Sequence, residues 1–308
     1  MNAKIVMCGC AEVGLNMLEY LFSKGVRIDH FVSLTKTQAR KNNVSGYVSF
    51  EKFAKRYNVP IYYPQRYSLK DSSDLNFFKK HKFDLLIIGG WQRLIPLQVL
   101  RQLKIGGLGI HGSSEFLPKG RGRSPINLSL IEGKKRFIIH LFLMTPGTDR
   151  GNIIDFDIFD INEWDTCRTV YYKNSIVSKR LLAKNIPRLL SGEVSSLPQK
   201  GKPTYYPKRT PDDGNIDWTK SVFAIYNFIR ALTKPYPGAF SYLRGKKVFF
   251  WSAQPFDTRI TYRGKARKGE VVEVFNTGDF VVNCNSGLLL VTHCNKKVRK
   301  GDVFSPVR

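Results

Sequence analysis

Apolar and polar positions alternate along the first half of the chain with two different periods. Residues 4–8 form a short apolar run, and 11–21 then repeat apolar side chains at helical spacing before Gly25. Residues 28–32 read as a second strand, 50–57 as a helix and 59–63 as a short strand. Asp84-Leu85-Leu86-Ile87-Ile88 is a continuous apolar run stopped by Gly89-Gly90, which predicts a central strand buried on both faces. Strands alternating with helices predict an α/β fold, with a Rossmann-like parallel sheet covered by helices on both faces. A long helical stretch over about 165–190 closes this domain, taken as residues 1–205, with the polar segment 191–202 as a linker.

The pattern changes beyond residue 205. A helix over 221–233 is stopped by Pro235-Tyr236-Pro237-Gly238. Short strands then alternate with turns such as Arg244-Gly245, Arg267-Lys268-Gly269 and Asn285-Ser286-Gly287. A helix and a small antiparallel, OB-like β-barrel are expected over 206–308.

Composition narrows the classes. Hydrophobic residues make up 42% of the 308, ordinary for a chain with a sizeable core. No run of eighteen apolar residues predicts a membrane span. No signal-peptide pattern precedes the first strand, so the cytoplasm is the expected location. Cys8, Cys10, Cys167, Cys284 and Cys294 are odd in number and scattered, which argues against a disulfide framework and for buried thiols. Cys8 and Cys10 lack two further ligands at a suitable spacing, and no metal is expected.

The net charge of +26 favours polyanionic or phosphorylated partners. It is spread over short clusters, at 79–80, 134–136, 246–247 and 296–297, with no block of five or six like charges. Nucleic acid is therefore not the expected partner. Gly9 and Gly14 are incomplete against a dinucleotide fingerprint, and no acidic residue ends the second strand. Close packing of helix on strand accounts for them.

The chemistry concentrates in two segments. His111 ends the glycine-rich strand Gly106-Gly107-Leu108-Gly109-Ile110, which places it at the carboxyl edge of a parallel sheet, where open α/β sheets bind ligands. Histidine exchanges protons near neutral pH. Asp149 lies in the turn Gly147-Thr148-Asp149-Arg150-Gly151, and a carboxylate beside a histidine fixes its tautomer. Between them, residues 118–125 carry Lys119, Arg121 and Arg123 and lead into a helix from Ser124, its cap, with Pro125 at the first position. Arginines beside a helix start suit an anion.

Together, Gly109-Ile110-His111-Gly112-Ser113, Leu117-Pro118, Arg121-Gly122-Arg123-Ser124-Pro125 and the Asp149 turn resemble the active-site block of the 10-formyltetrahydrofolate-dependent formyltransferases. The resemblance covers nearly the whole chain, including Arg209-Thr210-Pro211-Asp212-Asp213-Gly214 and Pro235-Tyr236-Pro237-Gly238-Ala239-Phe240. It implies formyl transfer from 10-formyltetrahydrofolate, with His111 and Asp149 catalytic. It places the folate on Gly90, Trp91, Gln92, Arg93, Leu94 and Ile95, with Gly147. Within the family, Gly122-Arg123-Ser124-Pro125 and Asn127 resemble the sugar-nucleotide enzymes most, nearest the domain acting on UDP-4-amino-4-deoxy-L-arabinose. That implies an acceptor, a nucleotide-linked amino sugar, facing Ser113, Arg121, Arg123, Ser124 and Asn127. Methionyl-tRNA formylation and ligand binding without turnover are the alternatives, and a homodimer is left open.

Two departures stand out. The family has asparagine two residues before its histidine, where this chain has Gly109, and the loop from His111 to Pro118 is two residues longer. Losing an oxyanion donor typically slows an enzyme by roughly two to three orders of magnitude.

Overall fold

The computed structural model describes residues 3–44, 46–260 and 266–305. Its first elements are β1 (Ile5–Gly9), α1 (Glu12–Ser23), β2 (His30–Val32), α2 (Lys36–Lys41), α3 (Glu51–Tyr57) and β3 (Ile61–Tyr62). There follow α4 (Ser72–His81), β4 (Leu85–Gly89), α5 (Leu97–Leu100) and β5 (Gly106–Ser113). Next come β6 (Arg121–Gly122), α6 (Pro125–Ile131), β7 (Arg136–Leu143), β8 (Ile153–Asp160), α7 (Cys167–Leu190) and β9 (Tyr205–Tyr206).

Seven strands make one sheet in the order β3-β2-β1-β4-β5-β7-β8. The first five are parallel, and β7 runs antiparallel to β5. The expected parallel sheet is thus a mixed one. After β5 the chain turns back through residues 114–135 instead of crossing over the sheet, so the next strand must pair antiparallel. Period-two alternation sends Met7, Leu85 and Ile87 into one apolar cluster with Leu182 and Ile186 of α7, and Val6, Cys8 and Leu86 into another with Phe78 of α4. Burial on both faces is why β4 reads as an unbroken apolar run. Gly9 and Gly14 do serve packing: a Cβ on either would lie within 2.3 Å of the Gly89 carbonyl oxygen.

The chain forms two compact units that are not contiguous in sequence. One comprises Met1–Arg121, Ile138–Ile158 and Lys173–Tyr205; the other comprises Gly122–Phe137, Phe159–Tyr172 and Tyr206–Arg308. The chain passes for the last time from the first unit to the second at 205/206, and α6 groups with the C-terminal unit. The cause is packing against α8 (Val222–Leu232), where Asn127 Nδ2 donates to the Ala231 carbonyl at 2.7 Å.

The second unit contains β10 (Ala239–Leu243), β11 (Lys246–Asp257), β12 (Val271–Val274), β13 (Phe280–Cys284) and β14 (Gly287–Cys294). They form an antiparallel sheet in the order β10-β11-β14-β13-β12. The edges close on the end of the chain: Tyr242 bridges Ser305, and Glu270, just before β12, bridges Val303. Phe250, Phe280 and Phe304 fill the interior beside Trp218, whose indole N–H donates to Ser241 Oγ. Among the described residues no helix is long and apolar enough to cross a membrane.

Candidate active site

His111 is almost buried near the end of β5, in register with His140 of β7. Its Nε2 lies 2.8 Å from the Gly120 carbonyl oxygen. A carbonyl only accepts, so this bond assigns the proton to Nε2. Nδ1 faces Asp149 Oδ2 at 3.4 Å. Asp149 adopts left-handed backbone (φ 50°), and the loop is closed by Thr145 N–H donating to the Arg150 carbonyl. Gly151 (φ +132°) must be glycine, because a Cβ there would lie 1.7 Å from the Leu143 carbonyl oxygen. The two residues expected to handle protons therefore meet, and both imidazole nitrogens are engaged.

The departure at Gly109 has a steric cause. A Cβ at Gly109 would lie 2.5 Å from Cζ of Phe142, a buried ring on the paired strand β7. With Phe142 in place, an asparagine there would force the ring or the backbone to shift.

Two residues expected to face an acceptor are instead held inside the first unit. Ser113 is fully buried; its hydroxyl donates to the Lys119 carbonyl and accepts the Glu115 N–H, both at 3.2 Å, fastening the loop after β5. Arg121 is 7% exposed. Its Nε (3.2 Å) and Nη2 (2.5 Å) donate to Gln199 Oε1, and its Nη1 donates to the Tyr205 hydroxyl. A buried guanidinium must be hydrogen-bonded, and these partners satisfy it. Nothing in local sequence marks Gln199, which lies in the expected linker.

The loop after β4 is part core and part surface. Trp91 and Ile95 pack into the second apolar cluster, Trp91 edge-on against Tyr67, so their side chains are closed to a ligand. The Gln92 N–H donates to Tyr67 Oη at 2.8 Å, and the Arg93 guanidinium covers the Tyr67 ring. Gln92, Arg93 and Leu94 point outward, Leu94 at 60% exposure, while Gly90 turns the chain at φ +78°. One apolar and two polar side chains beside a strand end suit a flat, hydrogen-bonding ring system. Gly147 takes φ +116° beside Arg150.

In the second unit, Ser124 and Asn127 line a cavity of about 190 Å³ with Arg209, Thr210, Tyr236 and Gly238. Ser124 precedes α6 in left-handed backbone (φ 56°), and its side chain makes no capping bond, unlike the cap expected of it. Asn127 is buried, and among the described residues its Oδ1 has no hydrogen-bond partner. Burial raises the Tyr236 phenol above its ordinary pKa while its hydroxyl bonds Tyr171. Arg123 is exposed. Residues of two sequence segments make much of this wall: Arg209, Thr210, Pro211 and Gly214 from the first, and Tyr236, Pro237 and Gly238, which also end the helix before them, from the second.

Buried His140 is the other group without a sequence signal. Its Nε2 accepts the Leu117 N–H at 3.4 Å, Phe116 stands edge-on to its ring, and burial holds it down at about 4. Cys8, Cys10, Cys167 and Cys284 are buried thiols, and burial raises each above its usual range.

Comparison with known proteins places this geometry in context. The family model Formyl transferase matches residues 31–186, and Formyl transferase, C-terminal domain, matches 208–304. The bifunctional polymyxin resistance protein ArnA of Wigglesworthia glossinidia brevipalpis is 30% identical over 95% of this chain. The chain spans 43% of that protein's length. Methionyl-tRNA formyltransferase of Bacillus velezensis is 28% identical, covering 98% of this chain and 93% of its own. Among solved structures, the N-formyltransferase of Helicobacter canadensis, in complex with folinic acid and dTDP-3-aminofucose, superposes with a TM-score of 0.67. The match covers 96% of this chain and all of the other at 18% identity, and shows the fold.

Proposed function

This chain belongs to the formyl transferase family, and we propose that it transfers a formyl group from 10-formyltetrahydrofolate to the amine of a nucleotide-linked amino sugar. The observation that carries this reading is the His111–Asp149 pair, held at a sheet edge with Nε2 fixed on the Gly120 carbonyl. The amine lone pair attacks the formyl carbon, the bond from that carbon to N10 breaks, the amine loses a proton and N10 gains one. Nε2 carries the ring's proton, so Nδ1 is the basic nitrogen, and a proton taken there is at once paired with the Asp149 carboxylate. The folate supplies the activated formyl group. The exposed side chains of Gln92, Arg93 and Leu94 are the surface proposed for it, with Gly90 and Gly147 giving backbone access.

The cavity beside α6 supports a small acceptor. Arg209 offers a guanidinium for phosphate oxygens, and Asn127 offers a buried, unpaired acceptor for a ring N–H. The net charge of +26 and the methionyl-tRNA formyltransferase relatives favour a second reading, in which the acceptor amine is that of methionyl-tRNA. A screen decides: 10-formyltetrahydrofolate is offered with a panel of amino-sugar nucleotides and with charged initiator tRNA, and products are weighed. Formylation of an amino-sugar nucleotide is expected; formylation of the tRNA alone would overturn this choice of acceptor. Ligand binding without transfer would restore the binding-protein alternative that Gly109 suggests.

A further inference from the structure

We propose that Gln199 is the positioning residue that sets His111, by tying together the two backbone segments that grip its ring. Each nitrogen of the imidazole is held from a different stretch of chain. Gly120 supplies the carbonyl for Nε2, and Asp149 supplies the carboxylate opposite Nδ1. Nothing in β5 fixes the distance between those stretches. Gln199 does. Its Nε2 donates to the Asp149 carbonyl (3.0 Å) and to the Gly151 carbonyl (2.9 Å). Its Oε1 accepts both Nε and Nη2 of Arg121, the residue after Gly120. Two donors and two acceptor sites are all a primary amide has, and all four are used. The Gly120 side is pinned again from the same segment, by Gly120 N–H on Thr204 Oγ1 (2.8 Å) and Arg121 N–H on the Thr204 carbonyl (3.0 Å).

The consequence is specific. Asp149 sits in left-handed backbone, which a non-glycine residue keeps only when its surroundings enforce it. The two bonds from Gln199 enforce it. Without them the turn relaxes and the carboxylate withdraws from Nδ1, so a proton taken there has no anionic partner, while Nε2 stays on the Gly120 carbonyl. Segment 191–202 is then a clamp on the histidine and not only a connection. The activity arm of the test rests on the formyl-transfer reading; the spectroscopic arm does not.

Two substitutions separate the halves of the amide. Gln199→Glu keeps an acceptor for Arg121 but cannot donate to the two carbonyls. Gln199→Met removes both functions at similar size. The readout is the ring ¹⁵N spectrum of His111 in histidine-labelled full-length protein, assigned with His111→Asn, recorded across pH. The native protein is expected to show a protonated Nε2 and one fixed tautomer. Both variants, folded by circular dichroism, are expected to keep a protonated Nε2 and to show the Nδ1 resonance displaced from its native position. Turnover falls roughly 10- to 100-fold with KM for the folate unchanged, as for a misplaced group. A His111 ring ¹⁵N spectrum in Gln199→Glu indistinguishable from native would overturn the proposal. Should Gln199→Met fail to fold, Gln199→Glu decides alone. If the native protein transfers no formyl group to any acceptor, the formyl-transfer reading fails while the spectra still judge the clamp.

Discussion

Asp149 Oδ2 stands 3.4 Å from His111 Nδ1, on the side of the ring away from the Gly120 carbonyl. If this pair moves the proton, His111→Ala and Asp149→Asn each lower turnover by roughly 10²–10⁴-fold, the usual span for a general acid–base group. Circular dichroism and melting temperature, recorded on the same samples, should show a fold like the native one. Near-normal turnover in either folded variant would remove the assignment.

Gly109 and Phe142 occupy one space. Restoring the family's asparagine by Gly109→Asn alone should therefore destabilise the protein, through a backbone or ring shift of the kind that costs about 1–3 kcal/mol, and should not raise turnover. Phe142→Ala alone removes a buried ring at about 3–5 kcal/mol. The double variant should be more stable than the sum of the two losses, since each change relieves the other. Urea unfolding of all four proteins measures the coupling; strict additivity would show that Phe142 does not exclude the side chain.

What the sequence revealed followed from local pattern. Strand β4, an unbroken apolar run, and helix α7, a long stretch of 24 residues, are strong local signals, and His111 and Asp149 are marked by the glycines around them. The antiparallel turn at β7 was hidden, because a strand's direction depends on how the chain returns and not on its side chains. Ser113 and Arg121 were expected to face an acceptor, yet they close hydrogen bonds inside the fold. Gln199 and His140 carry no motif at all. They matter through partners 50 and 23 residues away, a relation that periodicity cannot show.

The loop after β4 should divide by burial. Saturating 10-formyltetrahydrofolate or tetrahydrofolate should raise the native melting temperature by linkage. Leu94→Ser, at an exposed site, should change stability by no more than about 0.5 kcal/mol while shrinking that ligand-induced shift. Trp91→Ala should do the reverse, costing about 3–5 kcal/mol because the indole belongs to the core. Calorimetry with and without ligand checks both, and an absent shift in the native protein would count against folate at this loop.

His140 should make the fold acid-sensitive. Burial puts its folded pKa at about 4, below the unfolded value of 6.5. Between those values the unfolded chain binds the proton that the folded one refuses, so stability falls as pH drops from 6.5 towards 4. The full penalty is on the order of 3 kcal/mol. His140→Gln keeps an oxygen to accept the Leu117 N–H and cannot titrate. The stability difference, native minus variant, should fall through that window and be flat above pH 7. Urea midpoints at closely spaced pH values give this difference, and parallel curves would show that His140 does not refuse its proton.

The cavity beside α6 yields the sharpest division between acceptors. Arg209 and Asn127 line about 190 Å³, room for a ring or a phosphate group and far too little for a folded RNA surface. If an amino-sugar nucleotide enters there, Arg209→Ala loses a charged contact to phosphate, generally about 1.5–3 kcal/mol, and KM for that acceptor rises roughly tenfold or more. Asn127→Asp places a carboxylate where a neutral amide oxygen stands unpaired, and it should impair the acceptor at least as strongly. Neither change should alter the folate-induced melting shift, because neither residue is among those proposed for the folate. The two readings part on salt. A small acceptor carrying two phosphates has a shallow dependence of KM on ionic strength, whereas a tRNA neutralised at many phosphates loses affinity by orders of magnitude between 50 and 200 mM salt. Steady-state kinetics of the native and Arg209→Ala enzymes across that range supply both measurements. An acceptor KM untouched by Arg209→Ala would take the cavity out of acceptor binding, and a steep salt slope would return the choice to tRNA.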